Sequence, residues 1–330
     1  MSKRLINAGI AGIGSYVPEK VLTNAELEKM VDTTDEWIFT RSGIRERRIA
    51  SPDQATSDLA VIAAKRAIAD AGMTAQDLDL VIVATNTSDM LFPATACLVQ
   101  DRIGAKNAGA FDLAAGCTGF VYGMAVGSQF IATGANKAVL VVGAETLSRI
   151  TNWEERKTCI LFGDGAGAAV LRPVTDGSGI LSSKLWSDGS CGPLLMLPAG
   201  GSRRPATHET VDQKLHYIHM RGRDVFKFAV KVIEGAAVKA LDAAGLTKTD
   251  IDFFILHQAN VRIINAAAKR LGLPIDKAQV NVDRYGNTST ASIPLALGEA
   301  VRGGKIKKGD HVLIVGFGAG MTWGSMVVKW

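Results

Sequence analysis

The chain repeats itself at a spacing of 173 residues. Ala71-Gly-Met-Thr-Ala-Gln-Asp-Leu-Asp-Leu-Val-Ile-Val resembles Ala244-Gly-Leu-Thr-Lys-Thr-Asp-Ile-Asp-Phe-Phe-Ile-Leu, and Val139-Leu-Val-Val-Gly143 matches Val312-Leu-Ile-Val-Gly316 at the same spacing. Arg102-Ile-Gly resembles Arg270-Leu-Gly at a slightly shorter one. Several matches in one order across both halves read as a duplication. A duplication is a strong constraint, because whatever one half builds the other must build again.

Each copy has the same grammar. In the second copy Phe226, Ala229, Val230, Ile233, Ala237 and Leu241 recur at helical spacing, with Lys227, Lys231 and Glu234 on the other side. A glycine ends the helix, Gly72 or Gly245. A short continuous apolar run follows, Val81–Val83 or Phe253–Leu256, as expected of strands buried on both faces of a parallel sheet. Alternating helices and strands give an α/β fold of two similar halves around a pseudo-twofold axis, residues 1–172 and 173–330. Sites on such folds lie where the halves meet.

Composition narrows the function class. Hydrophobic residues make up 47% and charged residues 21%, which excludes a disordered chain. The first residues are basic but break into Gly9, Gly12, Gly14 and Pro18, so no export signal is expected and the cytoplasm is the expected location. No run approaches the roughly 20 apolar residues of a membrane span. In such a chain Cys97, Cys117, Cys159 and Cys191 are expected as reduced thiols, one of them open to use as a nucleophile. A net charge of +5 without a dense basic run suits an acidic protein partner or anionic small molecules, not nucleic acid.

Three positions could carry chemistry. In Phe111-Asp-Leu-Ala-Ala-Gly-Cys-Thr-Gly-Phe120, Cys117 follows a strand-like stretch and small residues and precedes a long apolar segment. That places the thiol at a helix start, where dipole and free N–H groups favour a thiolate. Local context alone fits a nucleophile or a buried small hydrophobe equally well. His257 closes the strand of Phe254-Ile-Leu-His-Gln-Ala-Asn260, where open α/β sheets hold ligands. Gly286-Asn287-Thr288 lines up roughly with Gly116-Cys117-Thr118, so Asn287 is expected at the second half's version of the nucleophile turn, although an Asn after Gly is also an ordinary turn residue. His208, His216, His219 and His311 read as surface residues, and no metal is expected. Gly163-Asp-Gly-Ala-Gly167 and Gly316-Phe-Gly-Ala-Gly320 lack dinucleotide spacing and read as close packing or as amides aimed at an oxyanion.

With Asp35-Glu-Trp-Ile, Arg41-Ser-Gly-Ile-Arg-Glu-Arg, Phe162-Gly-Asp-Gly-Ala-Gly, Tyr285-Gly-Asn-Thr-Ser and Thr322-Trp-Gly-Ser, these stretches resemble β-ketoacyl-acyl carrier protein synthase III of the thiolase superfamily over essentially the whole chain. The resemblance implies a thiolase-like fold of layered helices and mixed sheets, and a homodimer. It implies a Cys117, His257 and Asn287 triad that condenses an acyl-coenzyme A primer, acetyl first, with malonyl-acyl carrier protein and starts fatty acid synthesis. No permanently bound cofactor is implied. The backbone N–H groups of Cys117 and Ala319 would form the oxyanion hole; many members carry Gly at the latter position. Thr33, Trp37, Arg41, Arg156, Gly222, Phe226 and Asn260 would bind coenzyme A, with Trp37 on the adenine and Arg156 on its other side. Arg223 stands where the family often has Asn, which leaves its pantetheine contact open. Phe92 from the dimer partner, Leu147, Phe162, Phe317 and Met321 would shape the acyl pocket. Exposed Lys227, Lys231, Arg262, Lys269 and Arg270 would dock the carrier protein.

Rival readings fare less well. A thiolase needs a second cysteine in the C-terminal glycine loop, and Gly316–Gly320 has none. A hydroxymethylglutaryl synthase needs a carboxylate base, for which Asp89 is the nearby candidate. A plant-type polyketide synthase is usually longer, and a polyketide starter synthase using another acyl-coenzyme A stays open. A nicotinamide-dependent oxidoreductase lacks its fingerprint, and a purely binding protein has no need of the triad.

Overall fold

The computed structural model describes residues 6–330, so the basic start of the chain lies outside the described residues. Nine strands build two sheets: β1 (Asn7–Tyr16), β2 (Leu80–Ala84), β3 (Gly109–Leu113), β4 (Val139–Glu145), β5 (Gly165–Val174), β6 (Gly179–Ser187), β7 (Phe253–Leu256), β8 (His311–Gly318) and β9 (Thr322–Lys329). Seven helices matter to the site: α1 (Asp35–Ser42), α2 (Thr56–Asp70), α3 (Thr95–Ile103), α4 (Gly119–Ala132), α5 (Gly222–Ala244), α6 (Val261–Leu271) and α7 (Ser292–Arg302).

The first sheet runs β3-β2-β4-β5-β1 and the second β7-β8-β9-β6. In each, the first pairings are parallel and the last two antiparallel. A parallel bridge from Phe254 to Ala278 stands where the second sheet would have its β3. The two sheets therefore share one strand order. The chain crosses between them at residues 175–178, because β5 continues to Val174.

The repeated sequence makes repeated local structure. Thr74 and Thr247 each donate their N–H and hydroxyl to the aspartate three residues on, Asp77 at 2.8 Å and Asp250 at 2.7 Å. Asp79 and Asp252 each accept from the start of the neighbouring strand, at Ala138 N (3.0 Å) and His311 N (2.9 Å). These ties set the register in which the apolar runs pair.

Side chains of a strand alternate between faces, and the core records this. Ile82, Val139, Val141, Phe253, Ile255, Val312 and Ile314 point into a middle layer with Phe120 and Met124 of α4 and Ile293, Ala296 and Leu297 of α7. Val81, Val83, Leu140 and Val142 point out under α2 and α3. Phe254, Leu256, Leu313 and Val315 point out under α5 and α6. Both faces of both sheets are covered, giving five layers with α4 and α7 at the centre.

At this centre the halves interlock through glycine. Gly143 in β4 and Gly316 in β8 are 173 residues apart, and each faces a turn of the opposite half. A Cβ on Gly143 would collide with the carbonyl oxygen of Thr290, and one on Gly316 would sit 3.4 Å from Thr118 Cα. We expect Gly143→Ala to lose on the order of 3 kcal/mol through overpacking, whereas Gly134→Ala, at φ +75 but with no atom of the described residues within 4 Å, loses about 1 kcal/mol for its left-handed backbone alone. Urea unfolding of both variants checks the ranking; equal losses would show that the interlock carries no special cost.

Candidate active site

Cys117 lies in a single 3-10 turn, Gly116–Thr118, that runs straight into α4. The turn is possible because Gly116 adopts φ +54 and packs without a side chain on Ala319, while Gly318 packs on the backbone nitrogen of Cys117. The second half has the same turn at Ser289–Ala291, leading into α7. Counted from the helix starts, Ser289 (φ +48) matches Gly116 and Thr290 matches Cys117. The expected pairing of Asn287 with Cys117 is corrected accordingly: Asn287 sits three residues further upstream. The short Gly-x-Thr match was too weak to fix a register that the helix starts decide.

Asn287 is held by its backbone between Leu161 and Gly163: its N–H donates to Leu161 O at 2.8 Å and its carbonyl accepts from Gly163 N at 3.1 Å. Its Oδ1 accepts the Ser289 N–H at 2.9 Å. Since an N–H must meet an oxygen, the amide orientation follows, and Nδ2 is left as a free donor with no protein partner among the described residues.

His257 follows the last residue of β7 and is 1% exposed. Its Nδ1 lies 2.6 Å from Ser292 Oγ, which also accepts the Gln258 N–H at 3.3 Å. Among the described residues Nδ1 is the one acceptor bonded to the buried Ser292 hydroxyl, so the serine proton goes to Nδ1 and the ring proton sits on Nε2. Nε2 is buried without a protein partner among the described residues. Burial pushes the imidazole down to about 3, so the ring is neutral and donates through Nε2.

Three consecutive residues link these groups. The Phe317 ring packs edge-on against His257 at 5.1 Å, Gly318 touches Cys117, and the backbone N–H of Ala319 and of Cys117 itself both serve the sulfur. Phe317 and Gly318 thus join His257 to the Cys117 turn, and Ser289, which bonds both the sulfur and Asn287 Oδ1, joins Asn287 to it. Burial outweighs these donors and, with Glu145 nearby, pushes the thiol up to about 11.

The carboxylate expected as a rival base is committed elsewhere. Asp89 accepts the Ser57 N–H at 2.9 Å and the Ser57 hydroxyl at 2.7 Å, capping α2. The carboxylate that does reach the centre is Glu145, fully buried at the end of β4. Sequence reasoning missed it, as it missed Ser289 and Ser292. Its signal is a lone charge closing an otherwise apolar strand. The motif Phe162-Gly-Asp-Gly-Ala-Gly is packing: Asp164 accepts from Ala50 N, Ser148 N and Ser148 Oγ at 2.6–2.9 Å, and Gly167 admits Pro294.

The comparisons with known proteins agree with one another. Residues 111–189 match the family described as 3-oxoacyl-[acyl-carrier-protein (ACP)] synthase III, and residues 241–330 match its C-terminal part. The beta-ketoacyl-[acyl-carrier-protein] synthase III of Caldanaerobacter subterraneus subsp. tengcongensis is 62% identical over 325 residues, 98% of each chain. The chain belongs to the β-ketoacyl-acyl carrier protein synthase III family. The crystal structure of the Thermus thermophilus synthase III superposes with a TM-score of 0.91 at 50% identity, over 98% of this chain and 99% of that one. The priming beta-ketosynthase of the R1128 polyketide pathway gives 0.92 at 36% identity, over 99% and 97%. The five-layer architecture is therefore the thiolase-like fold of the synthase III family.

The remaining residues that the synthase resemblance singled out fall in three places. Trp37 on α1 lies under two guanidinium groups, Arg41 at 4.5 Å and Arg156 at 4.7 Å. Arg156 also donates to Asp32 O at 2.8 Å, so it covers the tryptophan in this state. Nearby, Thr33 Oγ1 is buried without a partner among the described residues. Asn260 caps α6 through Arg262 N at 2.8 Å and donates to Arg41 O at 2.8 Å, which ties up both ends of its amide. Gly222 opens α5, and Phe226, one turn on, lies 5.4 Å beneath Arg262. Leu147 and Phe162 form a small buried cluster with Ile218. An open cleft of about 420 Å³, lined by Asn152, Met196, Ile218, Met220 and Arg221 among others, adjoins this cluster. Phe317 and Met321 are buried near Cys117, whereas Phe92 is 84% exposed and takes no part in the pocket of its own chain. Lys227, Lys231, Arg262, Lys269 and Arg270 are all exposed on α5 and α6. Among the described residues no group of three or more His, Cys, Asp or Glu is placed to hold a metal ion, and no helix is long and apolar enough to cross a membrane.

The buried imidazole predicts a pH dependence. Its native pKa of about 3 lies below the value of roughly 6.5 in an unfolded chain. Between these values the unfolded state binds the extra proton, so stability is full above about pH 6.5 and is lost as pH falls. Between pH 6.5 and 4.5 wild type should lose on the order of 2 kcal/mol more than His257→Gln. Urea midpoints at both pH values measure this, and parallel losses would mean that the imidazole is not held neutral.

Proposed function

We propose that the chain catalyses the first condensation of fatty acid synthesis in the cytoplasm, joining a short acyl-coenzyme A such as acetyl-coenzyme A to malonyl-acyl carrier protein. The observation that carries this reading is the convergence of Cys117, His257 and Asn287 on one buried junction in a chain that matches synthase III relatives from end to end. In the first step the Cys117 sulfur attacks the thioester carbonyl of the acyl-coenzyme A. The carbon–sulfur bond to coenzyme A breaks, and the thiol proton leaves with the coenzyme A thiol. The N–H groups of Cys117 and Ala319 hold the oxyanion of the tetrahedral intermediate.

In the second step the malonyl carboxylate leaves as carbon dioxide, and its bonding electrons become the enolate of the carrier thioester. A neutral imidazole and an amide, with Nε2–H and Nδ2–H aimed inward, stabilise that oxygen without surrendering a proton. The enolate carbon attacks the acyl-Cys117 carbonyl, a carbon–carbon bond forms, the carbon–sulfur bond to Cys117 breaks, and the released sulfur takes a proton from solvent. Trp37, Arg41, Arg156 and Thr33 suit the nucleotide end of coenzyme A, and Gly222, Phe226 and Asn260 suit the mouth. Leu147, Phe162, Phe317 and Met321 bound the acyl group, with Phe92 supplied by the second chain of a homodimer. No permanently bound cofactor enters the chemistry.

The division of labour is testable. His257→Ala and Asn287→Ala should load acyl groups from acyl-coenzyme A but release carbon dioxide from malonyl-carrier on the order of 100-fold more slowly, with Cys117→Ser as the unloaded control. Intact-protein mass spectrometry and a carbon dioxide assay separate the steps. Normal decarboxylation with failed loading would overturn the reading.

Lys227, Lys231, Arg262, Lys269 and Arg270 flank the mouth and suit an acidic carrier. Charge reversal at Arg262 should raise KM for malonyl-carrier about tenfold at low salt while leaving that for acyl-coenzyme A nearly unchanged, and the effect should fade as the Debye length drops below about 10 Å. Steady-state kinetics with both substrates at two salt concentrations decide it; equal impairment toward both would place Arg262 in the folded scaffold instead.

A further inference from the structure

Glu145 is the one buried carboxylate at the junction for which the condensation has no use. Six groups donate to it: Thr85 Oγ1 at 3.4 Å, Asn86 N at 3.1 Å, Asn86 Nδ2 at 2.6 Å, Thr87 Oγ1 at 2.7 Å, Ser289 Oγ at 3.0 Å and Thr290 Oγ1 at 3.1 Å. Both oxygens are filled by neutral donors, and among the described residues no cation pairs with it. An acceptor so fully occupied is poorly placed to take a substrate proton. Four of the donors belong to the first half, and two to the turn that follows Asn287.

The duplication shows what those last two contacts do. Glu145 occupies the position of Gly318, and Thr290 that of Cys117, each pair 173 residues apart. Where Gly318 lets the nucleophile turn approach in one half, Glu145 grips the matching turn in the other. Ser289 takes the place of Gly116 and shares its left-handed backbone, φ +48 against +54. Glycine adopts that conformation freely, whereas serine needs something to hold it there. Three hydrogen bonds do so: Oγ donates to Glu145 and accepts from Asn86 Nδ2 at 3.2 Å, and the N–H donates to Asn287 Oδ1.

On the reading of Asn287 as an enolate donor, we infer that Glu145 is a positioning residue for decarboxylation: it holds Ser289 left-handed, and the Ser289 N–H in turn fixes Asn287 with Nδ2 facing the substrate. Loading at Cys117 does not use Asn287; the Ser289 hydroxyl and the Glu145 charge also reach the thiol, with opposite effects on its ionisation, so a cut tie weighs less on loading than on decarboxylation. Glu145→Ala removes the acceptor of the Ser289 hydroxyl, whereas a glutamine could keep its amide oxygen at Oε1, the atom to which both Ser289 and Thr290 donate.

The test is a single-turnover comparison of wild type, Glu145→Ala, Asn287→Ala and the double variant, with acyl loading and carbon dioxide release measured separately. Glu145→Ala should load within about threefold of wild type and decarboxylate at least about tenfold more slowly, while Asn287→Ala should add little in its background, because both act through one amide. Adding Ser289→Gly to Glu145→Ala should restore much of the decarboxylation, since glycine needs no holding. Equal loss of both steps, multiplicative loss with Asn287→Ala, or no rescue by glycine would overturn the assignment. Should Glu145→Ala fail to fold, Ser289→Ala cuts the same tie with the carboxylate in place, and normal decarboxylation by that variant would overturn it equally. Wild-type decarboxylation by Asn287→Ala would instead sink the underlying role of Asn287.

Discussion

The structure depends on backbone meeting backbone at the junction of the two sheets. Gly143 and Gly316 sit in the middle of central strands, where a side chain would normally pack, and each has given that space to a turn of the opposite half. Gly318 and Gly116 bring the strand end carrying Ala319 against the nucleophile turn in the same way. Close packing at native density leaves such contacts no slack. They let a sulfur from one half and two donors from the other share a space too small to be built from side chains reaching across a gap.

Burial sets the electrostatics. Removed from solvent contact, the junction's ionisable groups shift toward their uncharged forms. The thiol moves up and the imidazole moves down for the same reason. The site thereby holds its charge stabilisation ready for charges that exist only during reaction, the tetrahedral oxyanion and the enolate. Glu145 is pushed the same way by burial but is opposed by hydroxyl and amide donors on both oxygens. It joins the two halves by hydrogen bonds where a salt bridge would have required a second buried charge.

The same economy appears at the surface of the site. Arg41 and Arg156 lie over Trp37 and wait on a ring that the resemblance assigns to an adenine. Arg262 lies over Phe226 at the proposed mouth. Guanidinium groups stack on aromatic faces while keeping their N–H groups toward water. Each thus buries apolar surface in the free protein and leaves donors exposed for an anionic ligand.

Sequence alone determined the duplicated α/β plan, because 173-residue repeats of helix, glycine and apolar run encode local structure directly. It singled out Cys117, His257 and Asn287 because each interrupts a recognisable strand or turn. Parity along a strand already divides Ile82 from Val81 and Val83, and Ile255 from Phe254 and Leu256, between two layers. Tertiary structure decided the rest. Which register joins the two nucleophile turns is a matter of helix starts, and a three-residue match could not reveal that Thr290, not Asn287, is the twin of Cys117. The imidazole tautomer depends on Ser292, 35 residues away, and the amide orientation on a backbone N–H brought round by a left-handed serine. Glu145 reads in the sequence as one acidic residue at a strand end; only the fold, by closing the second half's turn over it, turns that charge into an anchor. The physical reason is range. Propensity and periodicity act between neighbours, whereas desolvation and donor geometry at a junction are set by residues that meet only when both copies have folded and closed on each other.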